Sequence, residues 1–343
     1  MRIIVYGAGP AGLSCAYWAS KEGHSVVVYE KENELGTKPC GEAIPEEALL
    51  FTPLKEGDFI CNRVKRCLFY VNWSFAREVS GFLSGYIIDK KKFLKELMEE
   101  AESEGAKVVL GSSPRPKDFD LLVDATGNPG SIARSFSFFD YSGYRSAPAL
   151  QCYCSSKEAL PDDAINLIIL PYGYGWIFPK GEIYNVGVGG FIGTATLRKD
   201  LKTLFEKFDM NILGRVRRGI FSIGGPLKKI QGRGIVVVGE AAGMVMPFTG
   251  EGIRYALYSG SICYKPNYQR LWDKRYGNRL RRGRRWLKKV LSLPADVRMK
   301  IIRDAPVELL VSLFQGERPR AKDLMFLLSS LVNSSVKGVS KRK

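Results

Sequence analysis

The sequence predicts an α/β fold: a Rossmann-type nucleotide-binding domain with an inserted antiparallel-sheet domain and a short helical C-terminal cap. Three observations predict it. A glycine-rich turn, Gly7-Ala8-Gly9-Pro10-Ala11-Gly12, follows an apolar strand directly. Two later segments, 121–127 and 235–243, are again apolar strands running into glycine turns. Residues near 51–85 and 131–219 read mostly as antiparallel sheet between them. At 343 residues the chain holds two or three domains, or one large α/β unit with an insertion. Its 45% hydrophobic and 25% charged residues exclude wholesale disorder, and its 36 glycines show no collagen period.

The first unit is βαβ. Arg2-Ile3-Ile4-Val5-Tyr6 is a strand, an apolar helix runs through Leu13, Ala16 and Trp18, and Val26-Val27-Val28-Tyr29 is a second strand ending at Glu30. Gly7 permits the tight turn, Gly9 lets backbone approach a pyrophosphate, and Gly12 allows close helix–strand packing. Pro10 and Ala11 open the helix, whose N-terminus faces the phosphates. Glu30 accepts hydrogen bonds from ribose hydroxyls, which disfavours a 2′-phosphate, and Lys31 adjoins it. The competing reading is a glycine-rich turn without a ligand.

Lys90–Glu104 is a charged amphipathic helix with Phe93, Leu94 and Leu97, leading through Gly105 to the strand 107–110. Leu121–Gly127 is a strand ending in a tight turn that holds Ala125 and Gly127. Ile235–Gly243 reads as a strand entering a helix, with Gly239, Glu240 and Gly243 at the junction. It continues through Pro247, Gly250, Gly252 and Ile253. An acidic side chain at that junction suits the ribityl hydroxyls of FAD, and the next helix N-terminus suits the pyrimidine end of a flavin. These segments favour FAD over NAD; each alone is also an ordinary strand–turn–helix.

In the middle of the chain, Tyr174, Trp176 and Phe178 share one parity on a strand and hence one face. Three aromatics in a row are either a sheet core face or an apolar wall suited to a long hydrocarbon. The run Val186-Gly187-Val188-Gly189-Gly190 lacks side chains at several positions and admits a close ligand or backbone.

A single histidine excludes a His-rich zinc hydrolase, and a Ser-His-Asp triad unless His24 serves; His24 reads as a surface-loop residue. The hard chemistry must therefore come from a cofactor. Seven cysteines without a pair of CxxC elements argue against a secreted disulfide framework and a structural zinc. Cys152 and Cys154 share a strand face, and Cys61 and Cys67 could form a disulfide in a thermophile's protein.

The net charge of +17 is concentrated in residues 261–343, which carry 21 Lys+Arg against 6 Asp+Glu. It peaks at 279–289, and across this region Trp272, Tyr276, Leu280, Leu287 and Leu291 recur at near-helical spacing over 272–291, interrupted by Gly277 and Gly283. Such a helix either lies on an anionic membrane or packs on the protein as a solvated basic face. Nucleic acid is not an expected partner, for want of a zinc-finger or RNA-binding signature. Leu324–Leu328 reads as an amphipathic or buried helix, and Lys341-Arg342-Lys343 as a frayed tail. With no targeting segment and no apolar run of roughly 20 residues, the expected location is cytoplasmic, peripheral at the membrane surface.

The order of the three glycine segments resembles the FAD-dependent group that includes aromatic hydroxylases and geranylgeranyl reductases. Pro171-Tyr172-Gly173-Tyr174-Gly175-Trp176-Ile177-Phe178-Pro179 is similar to the P-x-x-Y-x-W-x-F-P signature of the geranylgeranyl reductase family. Lys38-Pro39-Cys40-Gly41-Glu42 resembles the cysteine–glycine segment that this family places near its flavin. The resemblance covers residues 1–260 and only loosely the basic remainder. It implies a Rossmann-type FAD-binding domain formed by 1–50, 86–130 and 220–262, a substrate-binding domain formed by 51–85 and 131–219, and a basic helical region over 263–343. It implies FAD as cofactor, with Cys40 and Gly41 beside it, and Tyr174, Trp176, Phe178 and Pro179 as substrate-binding residues. The activity implied is saturation of C=C bonds in geranylgeranyl chains of membrane ether lipids. Reducing power would come from NAD(P)H or ferredoxin, and the proton from Cys40, Tyr174 or an ordered water. Glu240 departs from the aspartate usual in this group, the halogenase pattern Trp-x-Trp-x-Ile-Pro is absent, and the short cap bears on substrate length. The rival readings are a flavin monooxygenase of an aromatic substrate and a non-catalytic flavin-bearing protein that binds prenyl lipids.

Overall fold

A computed structural model describes residues 1–114, 118–128, 130–191, 194–323 and 325–327. The chain begins with β1 (Arg2–Tyr6), α1 (Pro10–Lys21) and β2 (Ser25–Tyr29). It continues through β3 (Ala43–Pro45), β4 (Ile60–Val71), β5 (Ser74–Ile88), α2 (Lys90–Ser103), β6 (Lys107–Val109) and β7 (Leu121–Asp124). Then come β8 (Ser146–Ser156), β9 (Ala164–Leu170), β10 (Gly173–Lys180), β11 (Ile183–Gly190), α3 (Thr194–Lys207) and β12 (Met210–Ser222). Two short strands follow, β13 (Gln231–Gly232) and β14 (Ile235–Val237). The last helices are α4 (Ile253–Ile262), α5 (Tyr268–Trp272), α6 (Asn278–Leu291), α7 (Ala295–Asp304) and α8 (Val307–Phe314).

Two sheets organise these elements. The first runs β13-β14-β7-β1-β2-β6, parallel except at the β13 edge. Its central strand β1 is a continuous apolar run, as a parallel strand covered on both faces requires. The second runs β12-β8-β11-β10-β9-β4-β5-β3, antiparallel except where β4 pairs with β9. Helices α1 and α4 cross on the first sheet at Gly260, where a methyl group would fall 2.1 Å from the Ala11 carbonyl. The principal core joins Ile3, Val5 and Leu13 to Phe93, Leu97, Tyr268 and Trp272.

Several expectations need correction. The strand at 235 enters only one 3₁₀ turn, Gly239–Ala242, and the helix starts at Ile253. Gly243, Pro247, Gly250 and Gly252 are poor helix formers and leave the intervening residues as loop. The apolar stripe Trp272, Tyr276, Leu280 and Leu287 is buried in the protein, so it is a core face and is not available to a bilayer. The two glycines that interrupt it mark tight packing. A methyl at Gly277 would meet Asp273 at 2.4 Å, within a π-turn over Asp273–Gly277, and one at Gly283 would meet Met246 Sδ at 3.0 Å.

All seven cysteines are free. Cys61 and Cys67 both lie on β4, six residues and about 20 Å apart along an extended strand, beyond disulfide reach. Cys152 and Cys154 do share a face of β8, with sulfurs 3.6 Å apart. His24 lies in the turn before β2 but is half-buried, its Nδ1 3.3 Å from the N-terminal ammonium. Leu324, Leu328 and the Lys341-Arg342-Lys343 tail lie outside the described residues; Phe326 and Leu327 pack near Phe69 and Leu313. No helix among the described residues is long and apolar enough to cross a membrane.

Candidate functional site

A cleft of about 990 Å³ opens where the C-terminal ends of β1, β2 and β7 face the second sheet. The glycine turn lines one end, and three of its glycines do different things. A methyl at Gly12 would fall 1.9 Å from the Gly7 carbonyl oxygen, so Gly12 is fixed by packing. Gly7 has φ +102°, and a methyl there would lie 2.4 Å from the Ala125 oxygen. Gly9 has an ordinary φ of −81°, and among the described residues no atom lies within 4 Å of the position a methyl would take. Neither strain nor packing asks for glycine at 9; what the glycine leaves is room in the cleft. Pro10 at the first position of α1 has no N–H to satisfy, and no side chain caps this helix end. Glu30 stands at the end of β2, where its Oε2 accepts from the Ala8 N–H at 2.8 Å and Oε1 from the Glu32 N–H at 3.0 Å.

At the far end, Glu240 projects from the 3₁₀ turn. Its Oε1 accepts from the Ser222 N–H at 3.0 Å and Asn128 Nδ2 at 3.3 Å, and its Oε2 is ion-paired with Lys38. The Asp124 carboxylate braces the turn beside it, accepting from the backbone of Thr126, Ile132 and Ala133. Lys90 lines the cleft near Cys40 and donates to the Lys38 carbonyl; burial pushes its ammonium pKa down.

The aromatic wall stands on β10. Ring centroids are 6.0 Å apart for Tyr174–Trp176 and 6.3 Å for Trp176–Phe178, so the three form one ladder. Tyr174 O–H donates to the Thr249 carbonyl at 2.9 Å, and Trp176 Nε1–H donates to Asn185 Oδ1 at 3.1 Å. The glycines of β11 make room for this ladder: a methyl at Gly187 would meet the Trp176 ring at 2.2 Å, and one at Gly189 would meet Phe221 at 3.1 Å. The expected close approach there is made by the protein's own rings and backbone, with the Leu150 carbonyl 2.4 Å from a methyl at Gly187 and the Tyr172 carbonyl 2.5 Å from one at Gly190.

The Cys40-Gly41 segment packs against this ladder, with Phe178 at 3.1 Å from a methyl at Gly41. A buried ionic network holds it. Glu42 is 4% exposed; its Oε2 accepts from Lys180 Nζ at 2.6 Å, Asn185 Nδ2 at 2.9 Å and the Tyr153 hydroxyl at 3.0 Å. The other amide hydrogen of Asn185 goes to the Cys40 carbonyl at 2.8 Å. Glu42 has φ +62°, a conformation costly for a side-chain-bearing residue and held here by its four partners.

The cleft brings together most residues singled out from the sequence. Gly7, Gly9, Pro10, Ala11, Glu30 and Lys31 line it from the first βαβ unit. Cys40, Gly41, Ala125 and Gly127 line it from two loops, and Glu240, Gly250, Gly252 and Ile253 from the third. Tyr174 and Trp176 face it from the second sheet. Gly12, Gly239, Gly243, Pro247, Phe178 and Pro179 are not in its lining. Gly12, Gly239 and Gly243 make close packing contacts, Pro247 packs behind on α6 through Gly283, and Phe178 supports Gly41. Lys38, Lys90, Asn128 and Gln151 also line the cleft and were not singled out. Gln151 is 2% exposed, and neither of its amide atoms has a hydrogen-bond partner among the described residues. Nothing local in the sequence marks Asn128 or Gln151, whereas Lys38 and Glu42 flank the Cys-Gly pair.

A family profile described as an NAD(P)-binding Rossmann-like domain matches residues 5–39. Among solved structures, a geranylgeranyl bacteriochlorophyll reductase-like protein from Thermoplasma acidophilum superposes with a TM-score of 0.78 at 22% identity. The match covers 92% of this chain and 96% of that one. A flavin-dependent brominase gives 0.70 at 15% identity over 99% of each chain. The fold is that of the flavin-dependent oxidoreductases. A digeranylgeranylglycerophospholipid reductase of Methanococcus vannielii is 30% identical over 303 residues, 77% of this chain and 76% of that protein. The chain belongs to the digeranylgeranylglycerophospholipid reductase family and is an oxidoreductase.

Proposed function

We propose that this protein binds FAD in the cleft and saturates C=C bonds in the geranylgeranyl chains of a membrane glycerophospholipid. The observation that carries the reading is that Tyr174 and Trp176 of the β10 ladder stand in the same cleft as the glycine turn. The residues fit the cofactor. Gly9 leaves a gap that protein does not fill, Glu30 presents a carboxylate for ribose hydroxyls, and α1 directs its N-terminus at the phosphates. Glu240, Lys38 and Asn128 form a polar group suited to ribityl hydroxyls, and Gln151 offers two unsatisfied amide atoms. On this reading 1–50, 86–130 and 220–262 hold the flavin, 51–85 and 131–219 the substrate, and 263–343 forms the cap. Lipid contact would occur peripherally at a membrane surface.

When bound and reduced in this cleft, FAD would supply the hydride for one alkene carbon. The protein must supply a proton to the other carbon, because an isolated alkene is a poor hydride acceptor. Cys40 is the proposed donor: it lines the cleft, its Sγ accepts from the Glu42 N–H at 3.3 Å, and its backbone is held through Asn185 and Glu42. Tyr174 suits the wall better than proton transfer, since its hydrogen is held by Thr249 and burial, with a smaller effect from Cys40, pushes its pKa up. Tyr174, Trp176 and, behind Gly41, Phe178 give the chain an apolar, water-excluding surface. Reducing equivalents would come from NAD(P)H or ferredoxin.

An anaerobic titration tests this reading. The bound flavin is reduced, excess reductant is removed, and a digeranylgeranyl lipid is added. The oxidised-flavin absorbance is expected to return without oxygen. If it returns only on admitting oxygen, with an aromatic substrate hydroxylated, the monooxygenase reading replaces this one.

A further inference from the structure

Behind the cleft lies a second cavity, of about 450 Å³, between α3 and the edge strand β12. Leu150, Leu201 and Phe205 give it an apolar floor, and three cations stand around it: Arg198 and Lys202 of α3 and Arg218 of β12. Arg198 and Lys202 are four residues apart on the helix and so share a face. No carboxylate lines the cavity, and Arg198 and Arg218 have no ion-pair partner among the described residues. Lys202 meets Glu206 at 3.7 Å in an exposed pair, a weak competitor for a stronger anion. Cations above hydrocarbon suit an amphiphilic anion, with phosphate oxygens on the guanidinium and ammonium groups and an alkyl stem on leucine and phenylalanine.

The two cavities share one lining residue, Arg218. Ala149 and Gln151 line the large cleft, and Leu150 between them points to the opposite face of β8. The cavities thus lie back to back across the sheet, and Arg218 on the edge strand β12 lines both. Ile212, Leu213, Val216 and Ile220 are exposed along that edge strand, interspersed with Arg215 and Arg218, and offer apolar side chains to a hydrocarbon that passes around it.

We propose that Arg198, Lys202 and Arg218 form a headgroup subsite, which takes the phosphate of the glycerophospholipid whose chain enters the cleft. This rests on the lipid-reductase reading above.

Arg198 and Lys202 do not line the large cleft, so the double variant Arg198→Gln/Lys202→Gln leaves that cleft intact. The flavin-loaded protein and this variant are titrated, in neutral detergent micelles, with a saturated dialkylglyceryl phosphate and with the corresponding neutral dialkylglycerol. Tryptophan fluorescence reports binding. The wild type is expected to bind the phosphate lipid about tenfold or more tightly than the neutral one, and the variant to lose that preference with its affinity for the neutral lipid unchanged. A variant that keeps the preference, or that loses affinity for both lipids alike, overturns the assignment. Inorganic phosphate is the competitor: displacement of the lipid at comparable concentrations makes this a free-phosphate site and also overturns it. Saturated lipids cannot be reduced, so failure of an unsaturated lipid to turn over would defeat the reductase reading without touching this result.

Discussion

Gly9 and Gly12 sit three residues apart and fail differently when given a methyl group. At Gly12 the methyl meets the Gly7 carbonyl at 1.9 Å, so Gly12→Ala is expected to disrupt the first βαβ unit and lower the melting temperature. At Gly9 the methyl meets none of the described residues. Gly9→Ala is therefore expected to fold normally by circular dichroism and to bind FAD at least about tenfold more weakly. Undiminished flavin binding would mean that the phosphates do not approach this turn. Cys40→Ala tests the proton donor. Turnover is expected to fall by about 10²–10⁴, the usual contribution of a positioned general acid, with flavin content unchanged. Unchanged turnover would remove Cys40 and leave an ordered water.

Among the elements, the 3₁₀ turn Glu46–Phe51 is fastened to two C-terminal elements through one carboxylate. Glu47 accepts from Arg254 of α4 at 2.8 Å and from Arg275 and Tyr276 of the π-turn at 2.8 and 2.7 Å. Burial would raise its pKa, but the hydrogen bonds from Tyr276, Arg275 and Arg254 together outweigh it and hold the group at about 2 against an ordinary 4.5. A depressed carboxyl stabilises the fold above its unfolded pKa, and that contribution is lost as pH falls through the folded value. The melting temperature is thus expected to drop between pH 4.5 and about 2, and to drop less steeply in Glu47→Gln, which starts lower. Parallel curves would assign the acid sensitivity to other groups. The neighbouring α5–α6 segment shows where element-level reading stopped. Trp272, Tyr276, Leu280 and Leu287 have the spacing of a membrane-surface helix and of a core helix alike; only the position of the rest of the fold shows that their apolar side faces inward.

For the whole molecule, what was legible had local chemical signatures. The glycine turn, the acidic residue at the end of β2 and the one-faced aromatics of β10 each carry their geometry in consecutive residues, and the structure gathers them around one cleft. The buried network was not legible. Lys180 and Asn185 are neighbours across the β10–β11 hairpin, but Tyr153 of β8 and Glu42 beside the Cys40 loop lie far from them in sequence and meet them only once the second sheet is in register. Gln151 and Asn128 are ordinary polar residues until the fold turns them into the cleft. The central claim is that this cleft saturates prenyl chains. The most direct measurement is the mass of a digeranylgeranyl glycerophospholipid after anaerobic incubation with the reduced, FAD-loaded protein. The account predicts a gain of two hydrogens for each double bond reduced, absent without protein or reductant. A lipid of unchanged mass, with FAD bound and fully reduced, would contradict it.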